Sequence, residues 1–394
     1  MSRFLPPPLA SVSALPLLLP TLSLSAAEGF RSDTSYQLYD ESDGRIQVES
    51  WYFRGEVEFT PDTSLRFQLL RDAISGASPT GAQPGSLQPF LADLEDVRNG
   101  VLVALSQQVG DHRIELEISQ SDESDYLSRG IALSDKWEFN KKNTTLSLGL
   151  NYVSDLVSVV GLEEQDKTSY DAFIGLSQLL DKKTILTANM TVGYAEGYLN
   201  DSYKSIQRTD IFTLPVGGVI TDIPVDILYR ENRPDSRLRG VFQLQATRYL
   251  TRFQASLDAV SRISYDDYGV LSHSLQIEWR QKLGNKFQIT PFFRHYQQTA
   301  ADFFYNTLDE VSGVNRPQEY PMGRGPHYSA DYRLSSLSSL SLGVKGRCQL
   351  SENVALSLTY EHYAMRGTGA ASERAPAAAY PKANIWTLGV TVQF

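Results

Sequence analysis

The chain has 394 residues, of which 41% are apolar, and its formal net charge is −10 at pH 7. The negative charge argues against nucleic acid as a partner, because binding to phosphates needs a basic surface. A single cysteine, Cys348, rules out an intramolecular disulfide framework and every zinc site built from cysteines.

Residues 1–27 are predicted to be a cleavable signal peptide. Arg3 is the sole charge before Glu28, the stretch between them is apolar, and Ser25-Ala26-Ala27 offers the small residues that a signal peptidase reads. Beyond this segment no run approaches the ~20 apolar residues that a transmembrane helix needs. We therefore expect an exported mature chain, residues 28–394, with no helical anchor.

From about residue 30 onward, apolar residues recur with a period of two, which is typical of strands with one apolar and one polar face. Leu146, Leu148 and Leu150, for example, alternate with small or polar residues. The fourteenth strand is long and is expected to break near Ser335-Ser336. Sixteen strands are predicted, at residues 33–40, 45–59, 64–72, 98–108, 112–120, 126–139, 143–154, 168–179, 184–196, 237–248, 252–264, 269–282, 286–297, 330–349, 353–364 and 383–394.

The connectors between these strands alternate strictly between short and variable. Seven are tight, such as Gly110-Asp111, and eight others vary in length. In transmembrane barrels short turns lie on the periplasmic side and longer loops lie outside. The predicted fold class is therefore all-β: a transmembrane antiparallel up-and-down β-barrel of about 16 strands, with a large soluble barrel as the alternative. The long outer loops are expected near residues 73–97, 197–236, 298–327 and 365–382.

Charged side chains share the polar faces of the strands, and we expect them to line the lumen. On the second strand Arg54, Glu56 and Glu58 lie opposite an apolar face that includes Trp51 and Phe53. On the lipid face near the midplane an Arg or Lys would cost about 2–4 kcal/mol, whereas in a wet lumen the cost is small. Further candidate lumen charges are Asp258, Arg262, Glu278 and Arg280. Aromatic girdles are predicted from Tyr126, Trp137, Tyr152, Tyr170, Tyr194, Tyr360 and Trp386.

The last strand reads "NIWTLGVTVQF", with Trp386, Val390, Val392 and Phe394 on one face. This ending resembles the C-terminal strand signal that assembly machinery recognises in bacterial outer-membrane barrels. The resemblance implies that Phe394 is an insertion signal and not a site residue. The expected partners are outer-membrane lipid and, during insertion, the barrel-assembly machinery.

Six stretches of the mature chain are specific in combination: "YDESDGRIQVESWYF" (39–53), "TPDTSLRFQLLRDAISGASPTGA" (60–82), "ENRPDSR" (231–237), "YDDYGVLSHSLQIEWRQKLG" (265–284), "RHYQQTAADFFY" (294–305) and "YSADYRLS" (328–335). In these stretches the chain resembles the DUF3570 family of outer-membrane β-barrel proteins. The resemblance implies a barrel in the bacterial outer membrane and brings no established chemistry.

The histidines give little support to an enzyme or a zinc site. The chain has 5 histidines, and none has HExxH or His-x-His spacing. His295 and His327 flank a long loop and could meet in space, although polar residues at the membrane interface explain them better. Ser272 and Ser274 bracket His273 but point to the opposite face of the strand, which is wrong for a lipid-facing serine hydrolase.

No catalytic residue, cofactor or dedicated metal site is predicted. Acidic stretches such as Asp266-Asp267 and "SDESD" (121–125) could bind Ca²⁺ loosely, because hard cations prefer clustered oxygens. Solvated loops at a charged surface account for the same stretches, and no EF-hand spacing is present.

The favoured function is a porin-like channel for ions or small polar solutes, since ~16 strands leave room for an aqueous lumen. The connector at 197–236 is long enough to fold inward and constrict it. Alternatives are a scaffold or export partner for another envelope protein and, less favoured, an enzyme with its site on the outer loops. The candidate gate charges are Arg230, Glu231, Arg233, Asp235 and Arg237.

Overall fold

A computed structural model describes residues 28–217, 219–314 and 317–394, so the predicted signal peptide lies outside the described residues. Sixteen antiparallel strands form a closed barrel, and two more form a separate hairpin. No described helix is long and apolar enough to cross a membrane. The strands are β1 (Gly29–Glu41), β2 (Gln47–Thr60), β3 (Thr63–Pro79), β4 (Leu91–Val109), β5 (His112–Asp122), β6 (Tyr126–Phe139), β7 (Thr144–Val157), β8 (Gln165–Asp181), β9 (Thr184–Gly197), β10 (Ser205–Val216), β11 (Val219–Arg230), β12 (Ser236–Leu250), β13 (Ala255–Asp266), β14 (Leu271–Leu283), β15 (Phe287–Gln298), β16 (Leu337–Gln349), β17 (Val354–Gly367) and β18 (Lys382–Gln393). Short 3₁₀ helices span Ser42–Gly44, Leu308–Glu310, Tyr332–Leu334, Ala371–Glu373 and Ala377–Ala379.

The barrel closes where the first and last strands pair. β1 and β18 are in register from Arg31 opposite Gln393 to Glu41 opposite Ala383. Phe394 extends this pairing, because its backbone N–H donates to the Phe30 carbonyl at 2.8 Å and its carbonyl accepts from the Phe30 N–H at 3.2 Å. Every strand of the barrel therefore has two neighbours, which leaves no open edge.

All sixteen predicted strands are present, and the fourteenth is broken as expected. A 3₁₀ turn at Tyr332–Leu334 precedes β16, which begins at Leu337. The strands are 11 to 19 residues long, more than the ~9–11 needed to cross a bilayer. β3 and β4 pair as far as Pro79 and Leu91, so their connector is residues 80–90 and not 73–97. The polar sequence near Asp93 hid this extension, because strand pairing beyond the bilayer does not need apolar alternation.

Seven tight turns lie at one end of the barrel, called here the turn end, and eight loops lie at the loop end. The loops are L1 (42–46), L2 (80–90), L3 (123–125), L4 (158–164), L5 (198–235), L6 (267–270), L7 (299–336) and L8 (368–381). L5 contains the β10–β11 hairpin, which was not predicted from the sequence. As a result β9 pairs directly with β12 in the barrel wall.

Unlike a soluble barrel, this wall has its apolar face on the outside and its polar face on the inside. Leu116, Leu133 and Leu150 form one outward row across β5, β6 and β7 and are 48%, 50% and 64% exposed. Outward aromatic rings pair between strands, as in Tyr152–Tyr170 at 5.4 Å and Tyr360–Trp386 at 4.6 Å. The prediction for Tyr126 is wrong, because its hydroxyl points inward and donates to Asp155 at 2.5 Å. The architecture is that of an outer-membrane β-barrel.

Replacement of one leucine in the outward row tests which face meets lipid. Leu133→Arg is expected to lower the free energy of unfolding from lipid vesicles by about 2–4 kcal/mol, because a charge would enter the hydrocarbon. The matched control is Ser134→Arg, one residue along on the inward face, where Glu115 lies on the neighbouring strand. It should change stability by about 0.5 kcal/mol or less. Equal losses in urea titrations of the two variants would contradict the assignment.

Candidate functional site

L5 crosses the mouth of the barrel at the loop end. It leaves the wall at β9, yet Lys204 Nζ donates to Ser78 Oγ at 2.8 Å and to the Pro79 carbonyl at 2.6 Å, at the end of β3. β3 is six strands away from β9 around the sixteen-stranded wall. A chain that bridges those positions must pass over the opening.

L7 meets L5 over the same opening. The backbone groups of Asn232 and Tyr328 exchange two hydrogen bonds of 2.9 Å each. The Asn232 side chain also donates to the carbonyls of Arg324 at 2.7 Å and Pro326 at 2.8 Å. The two longest loops are thus joined to each other at the loop end.

Five charged residues tie these loops together and are called here the mouth latch: Asp201, Glu231 and Arg233 of L5, and Asp331 and Arg333 of L7. Arg233 pairs with Glu231 at 2.7 Å and with Asp331 at 2.8 Å. Arg333 pairs with Asp331 at 2.6 Å and also with Asp201. Because Glu231 and Asp331 are almost fully buried, loss of either arginine contact would leave a desolvated charge.

The two buried carboxyls of the latch differ in their electrostatics. Burial raises the pKa of Glu231, and the nearby Arg233 offsets only part of this rise. Burial would also raise the pKa of Asp331, but Arg333 and Arg233 hold that pKa well below its usual range. Asp331 is therefore the fixed anion of the latch, and Glu231 is the group that takes a proton first on acidification.

An apolar cluster joins three loops at the loop end. Tyr268 and Val270 of L6 pack with Phe303 and Phe304 of L7 and with Tyr380 of L8. The Tyr268 and Phe303 rings meet edge to face at 4.9 Å. Burial raises the pKa of Tyr268 to about 12, so this hydroxyl stays neutral at physiological pH.

Below these loops the lumen is accessible to water. Arg262, Arg294 and Lys345 belong to the inward faces of β13, β15 and β16, yet their side chains are exposed. The Arg54 side chain, also inward, is 52% exposed. Exposed charges on the inner wall mean that the barrel interior is not packed with side chains.

The structure places the predicted gate charges in three settings. Glu231 and Arg233 belong to the mouth latch. Arg237 pairs with Asp266 and lies 4.6 Å over the Tyr268 ring. Arg230 donates to the Val160 carbonyl at 2.8 Å, and the Asp235 carbonyl accepts from the Gly197 N–H at 2.8 Å.

The other predicted lumen charges are distributed along the inner wall. Arg54 lies 3.8 Å from Glu56, with Glu58 on the same face of β2. Asp258 accepts from Thr247 and from Gln245, the latter at 3.0 Å. Arg262 donates to Gln243 at 3.0 Å, and Arg280 pairs with Glu278 at 2.8 Å. Arg54, Glu56 and Glu58 share β2, whereas the other four lie on the adjacent strands β13 and β14, where Asp258 is opposite Glu278.

The latch residues Asp331 and Arg333 were not among the predicted sites. Both lie in "YSADYRLS", and Glu231 and Arg233 lie in "ENRPDSR". These are two of the stretches that carry the family resemblance. Each of these two stretches combines acidic residues with arginine, and this was the signal in the sequence from which the latch could have been predicted.

The histidines form no shared site. His295 faces outward on β15, whereas His327 of L7 bonds the Gly323 carbonyl at 2.9 Å. Ser272 and Ser274 point away from His273, as predicted, but Ser261 Oγ on β13 lies 3.1 Å from His273 Nε2. Among the described residues no group bonds the other imidazole nitrogen, so this outward pair lacks the orienting group of a catalytic histidine.

One acidic cluster lies at the loop end. Asp96, Glu123 and Asp125 each place a carboxylate oxygen within 4.8 Å of the others. Burial, together with repulsion from Asp96 and Asp125, raises the pKa of Glu123, although Arg98 opposes the rise. All three residues are half-buried, and acidic groups of this kind do not by themselves define a metal site.

One protein family matches most of the chain. The sequence profile of the family described as "Protein of unknown function (DUF3570)" matches residues 9–92, 86–164 and 160–379. None of the curated proteins matches the chain in sequence.

Solved structures are similar to this chain at low sequence identity, and one of them, with a TM-score of 0.50, shares the fold. CdiB from Acinetobacter baumannii is 10% identical with a TM-score of 0.50, over 93% of this chain and 60% of that one, so this chain spans about three fifths of CdiB. A "bacterial polysaccharide outer membrane secretin" is 9% identical with a TM-score of 0.48, over 93% and 98% of the two chains. OccK3 (OpdO) of Pseudomonas aeruginosa is 10% identical with a TM-score of 0.43, over 94% and 97%.

Proposed function

The chain belongs to the DUF3570 family, whose description assigns no function, and from its barrel we propose that it is a porin-like channel for ions or small polar solutes. Its place is the bacterial outer membrane, reached through the signal peptide predicted at residues 1–27. Phe394 serves the assembly machinery on this proposal. In support, the backbones of Phe394 and Phe30 pair where the two ends of the wall meet.

The observation that carries the proposal is the hydrated inner wall. Inward charges that stay exposed, such as Arg262, Arg294 and Lys345, are costly in a packed interior and cheap beside water. A barrel that served only as a scaffold, with a packed interior, would not be stabilised by such charges. Side-chain charges that line a pore set its selectivity.

On this proposal the channel is gated at the loop end. L5 and L7 cover the opening, and the mouth latch holds them together through side-chain ion pairs. Hydrogen bonds between L5 and L7 backbones are few compared with those of the wall. Separation of L7 from L5 would therefore widen the passage and leave the barrel intact.

One feature favours the alternative of a scaffold or export partner for another envelope protein. The end of the β10–β11 hairpin exposes apolar side chains, with Ile211 at 70%, Val219 at 66% and Ile220 at 76%. Exposed apolar patches often mark protein contacts. Deletion of residues 211–224 should leave conduction unchanged in a channel, whereas in a scaffold it should abolish crosslinking to a dedicated partner in cells.

Removal of one latch arginine tests the channel and its gate together. Arg233→Ala leaves Glu231 and Asp331 without their shared cation, so L5 and L7 should separate. In planar bilayers we expect its single-channel conductance or open probability to exceed that of the wild type several-fold. The matched control is Arg98→Ala, which breaks another pair with a buried partner, Asp72, but lies within the wall. That variant should conduct like the wild type.

Folding of each variant is checked by heat-modifiable mobility in electrophoresis before conductance is measured. Folded wild type and folded Arg233→Ala that both fail to conduct would refute the channel. Equal conductance in all three proteins would retain the channel and refute the latch as its gate.

Mild acidification is expected to favour the closed latch. The closed state raises the pKa of Glu231 by burial, so it binds a proton more tightly than an open, hydrated state does. Asp331, with its lowered pKa, stays ionised over the same interval. Open probability should therefore fall between pH 7 and pH 5 in the wild type. In Glu231→Gln this fall in open probability should disappear. A rise in the open probability of the wild type over the same pH interval would contradict the prediction.

A further inference from the structure

A side cavity of about 530 Å³ lies between the inner wall and the first part of L5. Its wall side consists of the inward faces of β8, β9 and β12, and residues 198–203 of L5 cover it. The volume falls within the range of pockets that hold small molecules. It lies beside the mouth latch, since Asp201 and Arg233 contribute to both.

The floor of this cavity is a row of three residues across adjacent strands. Asp171 of β8 and Arg239 of β12 both lie opposite Gly193 of β9. Gly193 contributes no side chain, and a Cβ placed there would lie 2.5 Å from Asp171 Oδ1. Because Gly193 has no side chain, the Asp171 carboxylate lies over it, on the side toward Arg239. The backbones of Asp171 and Arg239 are two strand spacings, about 10 Å, apart.

Most charges that line the cavity already have partners. Lys167 pairs with Asp155 at 3.0 Å, and Arg237 pairs with Asp266. Arg233 and Asp201 are engaged in the mouth latch. These four groups have little charge to offer a solute.

Four lining groups form no ion pair among the described residues: Arg239, Asp171, Glu123 and Asp125. Asp171 Oδ2 accepts from the Asn151 amide at 3.1 Å, and Asp125 accepts from the Tyr203 hydroxyl at 2.7 Å, so both carboxylates keep their charge uncompensated. Three carboxylates thus face one guanidinium. The complementary solute has one anionic group and an excess of positive charge.

We propose that this cavity binds an α-amino acid with a cationic side chain, its carboxylate on Arg239 and its side-chain cation on Asp171. An inorganic ion would satisfy just one end of the row, and an acidic solute would meet the excess of carboxylates. Tyr126, Tyr198 and Tyr268 line the remaining space and supply apolar surface for an aliphatic stem. The inference rests on the proposed channel for the route by which the solute arrives, but binding itself does not require conduction.

Binding is measured by isothermal titration calorimetry on the full barrel in detergent, with EDTA present so that divalent ions do not occupy the carboxylates. L-Arginine is the probe, and two analogues each lack one charge. L-Citrulline has a neutral side chain of the same shape, and agmatine lacks the carboxylate. Each analogue should bind at least tenfold more weakly than L-arginine, because it leaves Asp171 or Arg239 without its partner.

Two variants assign these losses to residues. Asp171→Asn should weaken L-arginine at least tenfold and remove the difference between L-arginine and L-citrulline. Arg239→Gln should do the same for the difference between L-arginine and agmatine. Gly193→Ala should weaken L-arginine by displacing Asp171. The control is Arg129→Gln, which removes a similar charge from the outward face of β6 and should bind like the wild type.

The outcomes separate this inference from the proposed channel. Absence of L-arginine binding to the folded wild type overturns the site, as does binding that the Asp171 and Arg239 variants leave unchanged. Binding with these charge dependences in a barrel that never conducts supports the site and refutes the channel. Conduction without saturable L-arginine binding supports the channel and overturns the site.

Discussion

The constraint on which this structure depends is the hydrogen bonding of backbone groups in hydrocarbon. A strand in a bilayer has no water to bond, so each N–H and C=O must find a partner on a neighbouring strand. The pairing of β1 with β18, continued by Phe30 and Phe394, meets that demand by closing the sheet. Closure then determines the chemistry of both faces, because alternate side chains must point to lipid and to the lumen.

The polar inner wall allows the loops to fold inward. Lys204 is largely buried yet finds acceptors at Ser78 and Pro79 on the far side of the mouth. Comparable acceptors would be absent from an apolar opening, and L5 would then have to stand away from the barrel. The cavity beside L5 follows from this crossing, since residues 198–203 of the loop cover the inward faces of β8, β9 and β12.

The barrel could be predicted from sequence because its signals are local. A period of two indicates each strand, and the alternation of connector lengths indicates the topology. Both signals can still be recognised when the predicted strand ends are wrong by a few residues. The β10–β11 hairpin was missed since its sequence, "IFTLPVGGVITDIPV", breaks that alternation with prolines and apolar runs. The latch and the cavity floor could not be predicted in this way, because they depend on contacts between distant parts of the chain. Arg233 and Asp331, for example, are 98 residues apart in the sequence, and no local pattern indicates such a contact.

The ion pairs in the fold distinguish charged residues that look alike in the sequence. In the sequence, Arg233, Arg237 and Arg239 are equivalent cations on one short segment. In the fold the first joins two loops, the second is held by Asp266 and Tyr268, and the third has no ion-pair partner among the described residues. A buried pair mainly fixes structure, since breaking it leaves a desolvated charge. A charge that faces water without a partner contributes little to folding, and its electrostatic energy remains available to a solute. The difference between gate and binding site therefore lies in which charges the fold has already neutralised.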